Sequence, residues 1–326
     1  MKVLYIYSGY GGIYSYLEEW IIEAFKEKKF EIITVFSSTS VKEVIEISKN
    51  HSLSFVFTLM GANINKLLLE FLEKWKVPFF IWLTEDPFYI DKSLRVINDK
   101  NVILTIDFGA YEFYNSRGYK NIFYLPLGTN PSVFKKKEPD EYYKSDILIL
   151  GYPYPSRVNL AKLILENTNY KLTLVGKGWR NQIPKNLQRL KHLCIIDKWV
   201  PPLLATSFYN GAKIVINHHR ETNFIHNQNS LHVQSKSINN RTFDISSCGA
   251  FQLIDYKEDL YNQYQQDEII CYNDLSECIE KINRFMREDD LRRLIADKAK
   301  NRVLFNHTWD SRFSTIVDIV KKYTPL

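Results

Sequence analysis

The sequence lacks any apolar run near the roughly 18 residues that cross a bilayer, so no transmembrane segment is expected. It has no Cys-x-x-Cys pair: its four cysteines, Cys194, Cys248, Cys271 and Cys278, all fall in the second half. That spacing argues against a disulfide framework and fits reduced thiols in a cytoplasmic protein. Gly-x-Gly-x-x-Gly is absent, which removes the dinucleotide fingerprint. No Asp-x-Asp occurs either; nucleotide sugars held through a divalent cation generally need such paired acids, so a metal-free mode of binding is favoured. Glycine and proline are sparse, 12 and 11 in 326 residues, which excludes collagen-like and low-complexity chains. No period of about 20 to 50 residues recurs, so the chain is not a solenoid. A large charge of one sign is also missing: the net charge of +6 suits a local anion pocket and not a dedicated nucleic-acid binder.

What is present is ordinary globular usage, 45% apolar and 25% charged, in 326 residues. That length is past the roughly 250 to 300 at which one core stops growing, so two domains are expected. Aromatics stand at 14%, which fits ring-lined clefts and a Phe- and Tyr-rich core equally. The start, MKVLYIYSGYGG, breaks at Gly9 and reads as a strand and not as a signal peptide.

Along residues 1–126, β-rich runs alternate with helix-period segments. The strand candidates are Lys2–Tyr7, Phe30–Phe36, Leu53–Leu59, Pro78–Leu83, Val102–Asp107 and Asn121–Leu125. In Tyr14–Lys26, Leu17, Trp20, Ile21, Ala24 and Phe25 form one helical stripe. Several strands are apolar throughout, as strands covered on both faces should be. The alternation predicts an α/β, doubly wound parallel sheet. Residues 127–144, rich in Pro and Lys, read as a single linker. The alternation restarts over 145–308, giving a second Rossmann-like domain, and a last helix begins at Trp309. Two such sheets bind ligands at the carboxyl ends of their strands, with the cleft between them as the expected site.

The motifs at those strand ends carry the chemistry. Ser8-Gly9-Tyr10-Gly11-Gly12 follows the first strand; Gly11 and Gly12 let backbone approach a ligand at a cleft loop, or make a tight turn only. Thr84-Glu85-Asp86-Pro87 places two carboxylates after an apolar strand. Glu85 is a candidate base for an acceptor hydroxyl, with Asp107 its rival, while Asp86 also fits a helix cap with Pro87 at the first position. Gly151-Tyr152-Pro153-Tyr154-Pro155-Ser156-Arg157, with Lys162 five residues on, offers cations for a diphosphate, Arg157 as a bidentate fork. Gly176-Lys177-Gly178-Trp179 is a similar loop, in which Lys177 and Gly178 suit phosphate or ring contact.

The most informative run is Asn240-Arg241-Thr242-Phe243-Asp244, opening a helix that Gly249 ends. Arg241 and Asp244, three residues apart, project from one face, the Arg and the helix-terminal amides for phosphate and the acid for ribose hydroxyls. The acid equally suits a first turn. Before it lies a polar run with His218, His219, His226 and His232. Their spacing matches no zinc pattern, so we read a cleft loop with His219 as its donor-facing candidate and no metal.

These segments resemble the spore-maturation (CgeB-type) glycosyltransferase-like family. The resemblance rests on LPLGTNPSVF, GYPYPSR, VGKGW and above all NRTFDISSCGAF, with TEDP and HTWDSR, including His307, in support. It implies a GT-B fold, two Rossmann-like domains facing a cleft, with the nucleotide sugar held mainly by the C-terminal one. It also implies that Asp244 stands where these transferases usually carry a Glu contacting ribose. Arg157 and Lys162 then resemble an Arg-x4-Lys phosphate pair, and the last helix, 309–326, should return to the N-terminal domain. Relatives with E-x7-E carry an acid eight positions upstream, where Lys236 stands here.

The resulting expectation is a glycosyltransferase that takes a nucleotide-diphosphate sugar, UDP-linked by preference, with no cofactor. The donor is a partner; the acceptor is left open, a cell- or spore-surface glycan or protein being among the choices. Two other classes compete. A non-catalytic two-lobe sugar- or nucleotide-binding protein is disfavoured by the single-linker reading and the absent signal. A nicotinamide-dependent oxidoreductase is disfavoured by the glycine spacing and by the lack of an acid at Phe36-Ser37-Ser38 for ribose.

Overall fold

The computed structural model describes residues 1–324. The chain opens with β1 (Lys2–Tyr7), α1 (Ile13–Glu27), β2 (Glu31–Phe36), α2 (Val41–Asn50), β3 (Phe55–Leu59) and α3 (Lys66–Lys74). It continues through β4 (Phe79–Leu83), α4 (Ile90–Ser93), β5 (Val102–Thr105), α5 (Phe108–Ser116) and β6 (Ile122–Tyr124). A second series runs β7 (Ser145–Leu150), α6 (Pro155–Asn167), β8 (Leu172–Val175), α7 (Trp179–Gln182), β9 (Leu193–Ile196), α8 (Pro202–Gly211) and β10 (Ala212–Asn217). After a long polar stretch come α9 (Arg241–Ser247), β11 (Gln252–Asp255), α10 (Leu260–Gln263), β12 (Ile270–Tyr272), α11 (Leu275–Phe285), α12 (Asp289–Asn306) and α13 (Trp309–Tyr323). The last two positions of the expected 309–326 helix lie outside the described residues.

The strands form two six-stranded sheets, ordered β2-β1-β3-β4-β5-β6 and β12-β11-β10-β7-β8-β9, with parallel pairing throughout. Central strands β3 and β4 are buried at every position, which is why FVFTL and FFIWL carry no polar alternation beyond Thr58. Edge strands β2 and β9 are only partly buried. On α1 the stripe read from the sequence is buried as a unit: Leu17, Trp20, Ile21, Ala24 and Phe25. The Phe25 ring lies edge-on to Phe57 at 5.2 Å and to Phe313 of α13 at 4.7 Å. Each such fully buried ring contributes roughly 2 to 3 kcal/mol relative to an exposed one. Helix starts are set by side chains: Ser40 makes a capping box with Glu43 on α2, and Asn65 and Asp274 cap α3 and α11. The expected strand Val102–Asp107 stops at Thr105, because Asp107 turns out to cap α5.

The chain divides into two compact units, and neither is one continuous piece. The first comprises residues 1–128, 225–237 and 309–326, the second 129–224 and 238–308. This corrects the 127–144 linker and the 1–126 and 145–308 boundaries. Most of that stretch packs within the second unit, where Phe134 is buried beside Tyr209 and the Tyr143 ring stands edge-on to Phe208 at 4.9 Å. The chain therefore passes between the units after residues 128, 224, 237 and 308. The single-linker argument against a two-lobe binding protein does not hold.

Residues 225–237 join the first unit through three carboxylates, one of them Glu112, which pairs with the Lys236 ammonium at 3.0 Å. Asp107 accepts the Ala110 N–H on its own helix at 3.0 Å. It also accepts the Ser235 hydroxyl at 2.9 Å and the N–H groups of Lys236 and Ser237 at 3.2 and 3.1 Å. Asp91 accepts the Ser230 N–H and hydroxyl, the latter at 2.8 Å. Val233 anchors the segment in the apolar core of this unit. We expect Asp107→Ala to raise the rate of limited tryptic cleavage at Lys236 by about tenfold or more, because local opening governs attack. An unchanged rate would mean that the other contacts hold the segment alone.

Candidate functional site

The second sheet reverses its winding between β7 and β10, and ligands of open α/β sheets bind at such switch points. Two glycine turns meet beside it. Gly151, after β7, has φ 134° and Gly176, after β8, has φ 148°, both in the range that L side chains avoid. A Cβ on Gly176 would stand 2.2 Å from the Gly151 carbonyl oxygen. That oxygen also accepts the Trp179 indole N–H at 2.9 Å.

The space over Gly151 is filled by two guanidiniums. A nitrogen of Arg157 and one of Arg241 lie 2.8 and 3.0 Å from the point that a Gly151 Cβ would occupy. Arg157 is buried, donates from Nε to the His218 carbonyl at 2.6 Å and from Nη1 to the Tyr152 carbonyl at 3.0 Å, and lies over the Tyr154 ring at 4.9 Å. Burial first, and then the charge of Arg241, lower its pKa to about 9. It still carries its proton at neutral pH. Among the described residues neither guanidinium forms an ion pair with a carboxylate. Two like charges held together with no carboxylate in ion-pair contact, Asp244 and Asp255 acting only from further off, are an arrangement that an anion would relieve.

Helix α9 is held in place by its polar interior. The Asn217 amide donates to Thr242 Oγ1 at 2.9 Å and to Asn239 Oδ1 at 3.2 Å, and Gln252 Nε2 donates to the Thr242 carbonyl and to Ser246 Oγ, both at 2.9 Å. Asp244 accepts the Thr129 hydroxyl at 2.8 Å on one oxygen and the Asn240 amide at 3.1 Å on the other. Burial raises its pKa to about 7, against the pull of Thr129 and Arg241. Each oxygen is thus already engaged, and the acid anchors α9 internally. The helix-terminal amides expected to meet phosphate are spoken for as well. Thr242 N–H goes to Asn239, and those of Phe243 and Asp244 go to the Asn240 carbonyl.

The structure therefore brings Arg157, Asn240, Arg241 and Asp244 into one neighbourhood and leaves other candidates outside it. Lys162, five residues from Arg157 on α6, points about 140° away round the helix, because each residue advances about 100°. Lys177 is exposed. Gly178, at φ 100°, forms the turn into α7, its N–H taken by the Asp197 carboxylate. His219 is not a cleft-loop residue. It is buried against Asp255, which accepts its Nδ1–H at 2.6 Å and its backbone N–H at 2.7 Å, while Nε2 accepts the Asn239 N–H at 3.1 Å. Sequence reasoning missed Thr129, and Tyr209, a buried residue whose hydroxyl feels the charge of Arg241. Gly151 and Gly176 carried a readable signal, since both end a strand.

On the first unit the switch point falls between β1 and β3, next to the glycine loop. A Cβ on Gly11 or Gly12 would meet nothing within 4 Å, so that loop borders open space. Half-buried Glu85 accepts the Tyr14 hydroxyl at 3.3 Å, and Tyr14 also bonds to Thr84 at 2.9 Å. Asp86 is not a helix cap. It is buried and accepts hydroxyls from Ser93, Thr105 and Tyr114 at 2.6, 2.7 and 3.0 Å, while the following helix starts only at Ile90. Asp107 is likewise no rival for the base, since its carboxylate is buried and committed to α5 and to residues 235–237. Among the described residues no three His, Cys, Asp or Glu side chains gather as a metal ion would need. No helix there is long and apolar enough to cross a membrane.

Two doubly wound parallel sheets carried by one chain are the GT-B fold of glycosyltransferases. Sucrose-phosphate synthase from Thermosynechococcus elongatus superposes with a TM-score of 0.70 at 9% identity, covering 98% of each chain. The Anabaena protein HepE, solved in complex with UDP and glucose, superposes with a TM-score of 0.68 at 10% identity, over 99% of this chain and 100% of that one. Residues 157–318 match the family described as glycosyl transferase-like. The spore protein CgeB of Bacillus subtilis (strain 168) is 39% identical over 298 residues, 91% of each chain, and the present chain belongs to the CgeB family.

Proposed function

We propose that the protein moves a sugar from a nucleotide-diphosphate donor, UDP-linked by preference, to an acceptor hydroxyl without a metal ion. The observation that carries this reading is the pair Arg157 and Arg241 over Gly151, neither in ion-pair contact with a carboxylate, at the switch point of the second sheet. As the bond between the anomeric carbon and the diphosphate oxygen breaks, negative charge grows on the leaving group. Fixed guanidiniums in a partly dry setting stabilise that charge without having to reorganise. The acceptor oxygen forms the new bond to the anomeric carbon, and Glu85, held by Tyr14, is the group we assign to orient its hydroxyl and take its proton. Support also comes from HepE, a protein of the same fold class, whose complex contains UDP and glucose.

Isothermal titration of UDP and of GDP tests the donor site. We expect UDP to bind wild type more tightly than GDP, and Arg241→Ala to weaken UDP by about tenfold to a hundredfold, as loss of a charge-assisted contact does. If neither nucleotide binds wild type at millimolar concentration, the donor assignment is wrong. The four chain crossings are also compatible with a two-lobe binding protein. Hydrolysis of a UDP-sugar in the absence of acceptor would favour the transferase, and binding with no turnover of any nucleotide sugar would favour that alternative. A thermal-shift screen of nucleotide sugars selects which to use, since a ligand bound only by the native state raises Tm.

A further inference from the structure

The two guanidiniums come from different parts of the second unit, Arg157 from α6 and Arg241 from α9. Something must hold both segments to one place, and the pair His218-His219 at the end of β10 touches both. The His218 carbonyl accepts Arg157 Nε at 2.6 Å. One residue on, the His219 ring accepts the Asn239 N–H at 3.1 Å. Asn239 in turn presents its side-chain oxygen to the Thr242 N–H at 3.2 Å, so it fixes the first turn of α9, from which Arg241 projects. The ring itself cannot rotate: Asp255, at the end of β11, takes both the backbone N–H and Nδ1–H of His219. With Nδ1 donating, Nε2 is the acceptor, which requires the neutral tautomer. Burial lowers the His219 pKa, against Asp255, and Lys257 and Arg157 lower it further, so the ring is neutral at physiological pH.

We propose that His219 is a positioning residue for the two-guanidinium site: through Asn239 it sets where α9, and with it Arg241, begins, while the adjoining His218 carbonyl sets Arg157. The ligand named in its test, UDP, rests on the function proposed above. The role of the ring is divisible between its two nitrogens. Gln places an amide oxygen where Nε2 stands and retains an acceptor for Asn239. Asn places an amide nitrogen where Nδ1 stands, and keeps only the bond to Asp255.

The experiment compares His219→Gln and His219→Asn by UDP titration and by hydrogen exchange of ligand-free protein, with Tm of both recorded. We expect Gln to hold UDP within about threefold of wild type and Asn to lose about tenfold or more, a difference of about 1.4 kcal/mol. Peptides spanning 238–244 should exchange faster in the Asn variant and near the wild-type rate in the Gln variant. A purely structural histidine would show equal losses in both variants, and that result overturns the proposal. So does wild-type affinity in a folded Asn variant. If wild type binds no UDP, the donor reading falls, and the exchange difference between the variants still judges whether His219 sets the start of α9.

Discussion

Gly176→Ala should cost about 4 kcal/mol of stability or abolish folding. The added methyl would lie 2.2 Å from the carbonyl oxygen of Gly151 and 2.8 Å from its carbonyl carbon, both backbone atoms with no side-chain freedom to yield. The position also has φ 148°, which costs any L side chain further. Gly12→Ala is the control: its φ of 69° brings about 1 kcal/mol of backbone strain, and the methyl would meet open space. Urea unfolding of the two variants reads the contrast directly. A loss below about 1 kcal/mol for Gly176→Ala would mean that the turns after β7 and β8 do not approach as described.

The second large effect concerns Asp86. Asp86→Ala is expected to cost about 3 kcal/mol, because three buried hydroxyls, those of Ser93, Thr105 and Tyr114, lose their common acceptor. The same residue gives stability a pH dependence of definite sign. Burial, with a smaller push from Asp107, raises its pKa to about 7 in spite of the three hydroxyl donors. The unfolded value is about 3.9. Between about pH 4 and 7 the unfolded chain has therefore lost a proton that the native protein keeps, and stability falls as pH rises through that window. Asp86→Asn has no such titration, and the hydroxyls of Thr105 and Tyr114 can turn to accept from its amide. The stability advantage of wild type over Asp86→Asn should accordingly shrink by about 2 kcal/mol or more from pH 5 to pH 8. Asp244, raised in the same direction, and Asp255, lowered, are common to both proteins and cancel in the difference, while Asp107, which pushes on Asp86, adds only its smaller coupling. A difference that stays flat across this range would show that Asp86 is ionised in the native state throughout.

Much of the fold was legible because the two central strands of the first sheet are covered on both faces, so that FVFTL and FFIWL could be read as parallel strands without any tertiary information. Arg157 was readable because it follows β7 closely, whereas Arg241 stood out through the Asn240–Asp244 run that opens α9, far along the chain from the end of β10. Lys162 misled, although helix periodicity alone places it on a different face from Arg157. Asp107 was not readable as a latch, since its partner Ser235 lies 128 positions away and nothing local announces the bond. His219 looked like a ligand group because polar sequence surrounds it. Its actual partners, Asp255 and Asn239, are supplied by packing, 36 and 20 positions off. Asp86 and Pro87 have the composition of a helix start, yet the carboxylate found three hydroxyls to accept, and tertiary contact outweighed local preference.

The interleaved course of the chain has a consequence for recombination. A gene cut at residue 128 would yield an N-terminal fragment without Trp309 and Phe313, whose rings pack on Trp82 and Phe25, and without Val233. Exchanging the first unit between relatives therefore means transplanting three separate stretches together, and a chimaera joined at one point would pack Phe25 and Trp82 against a foreign C-terminal helix.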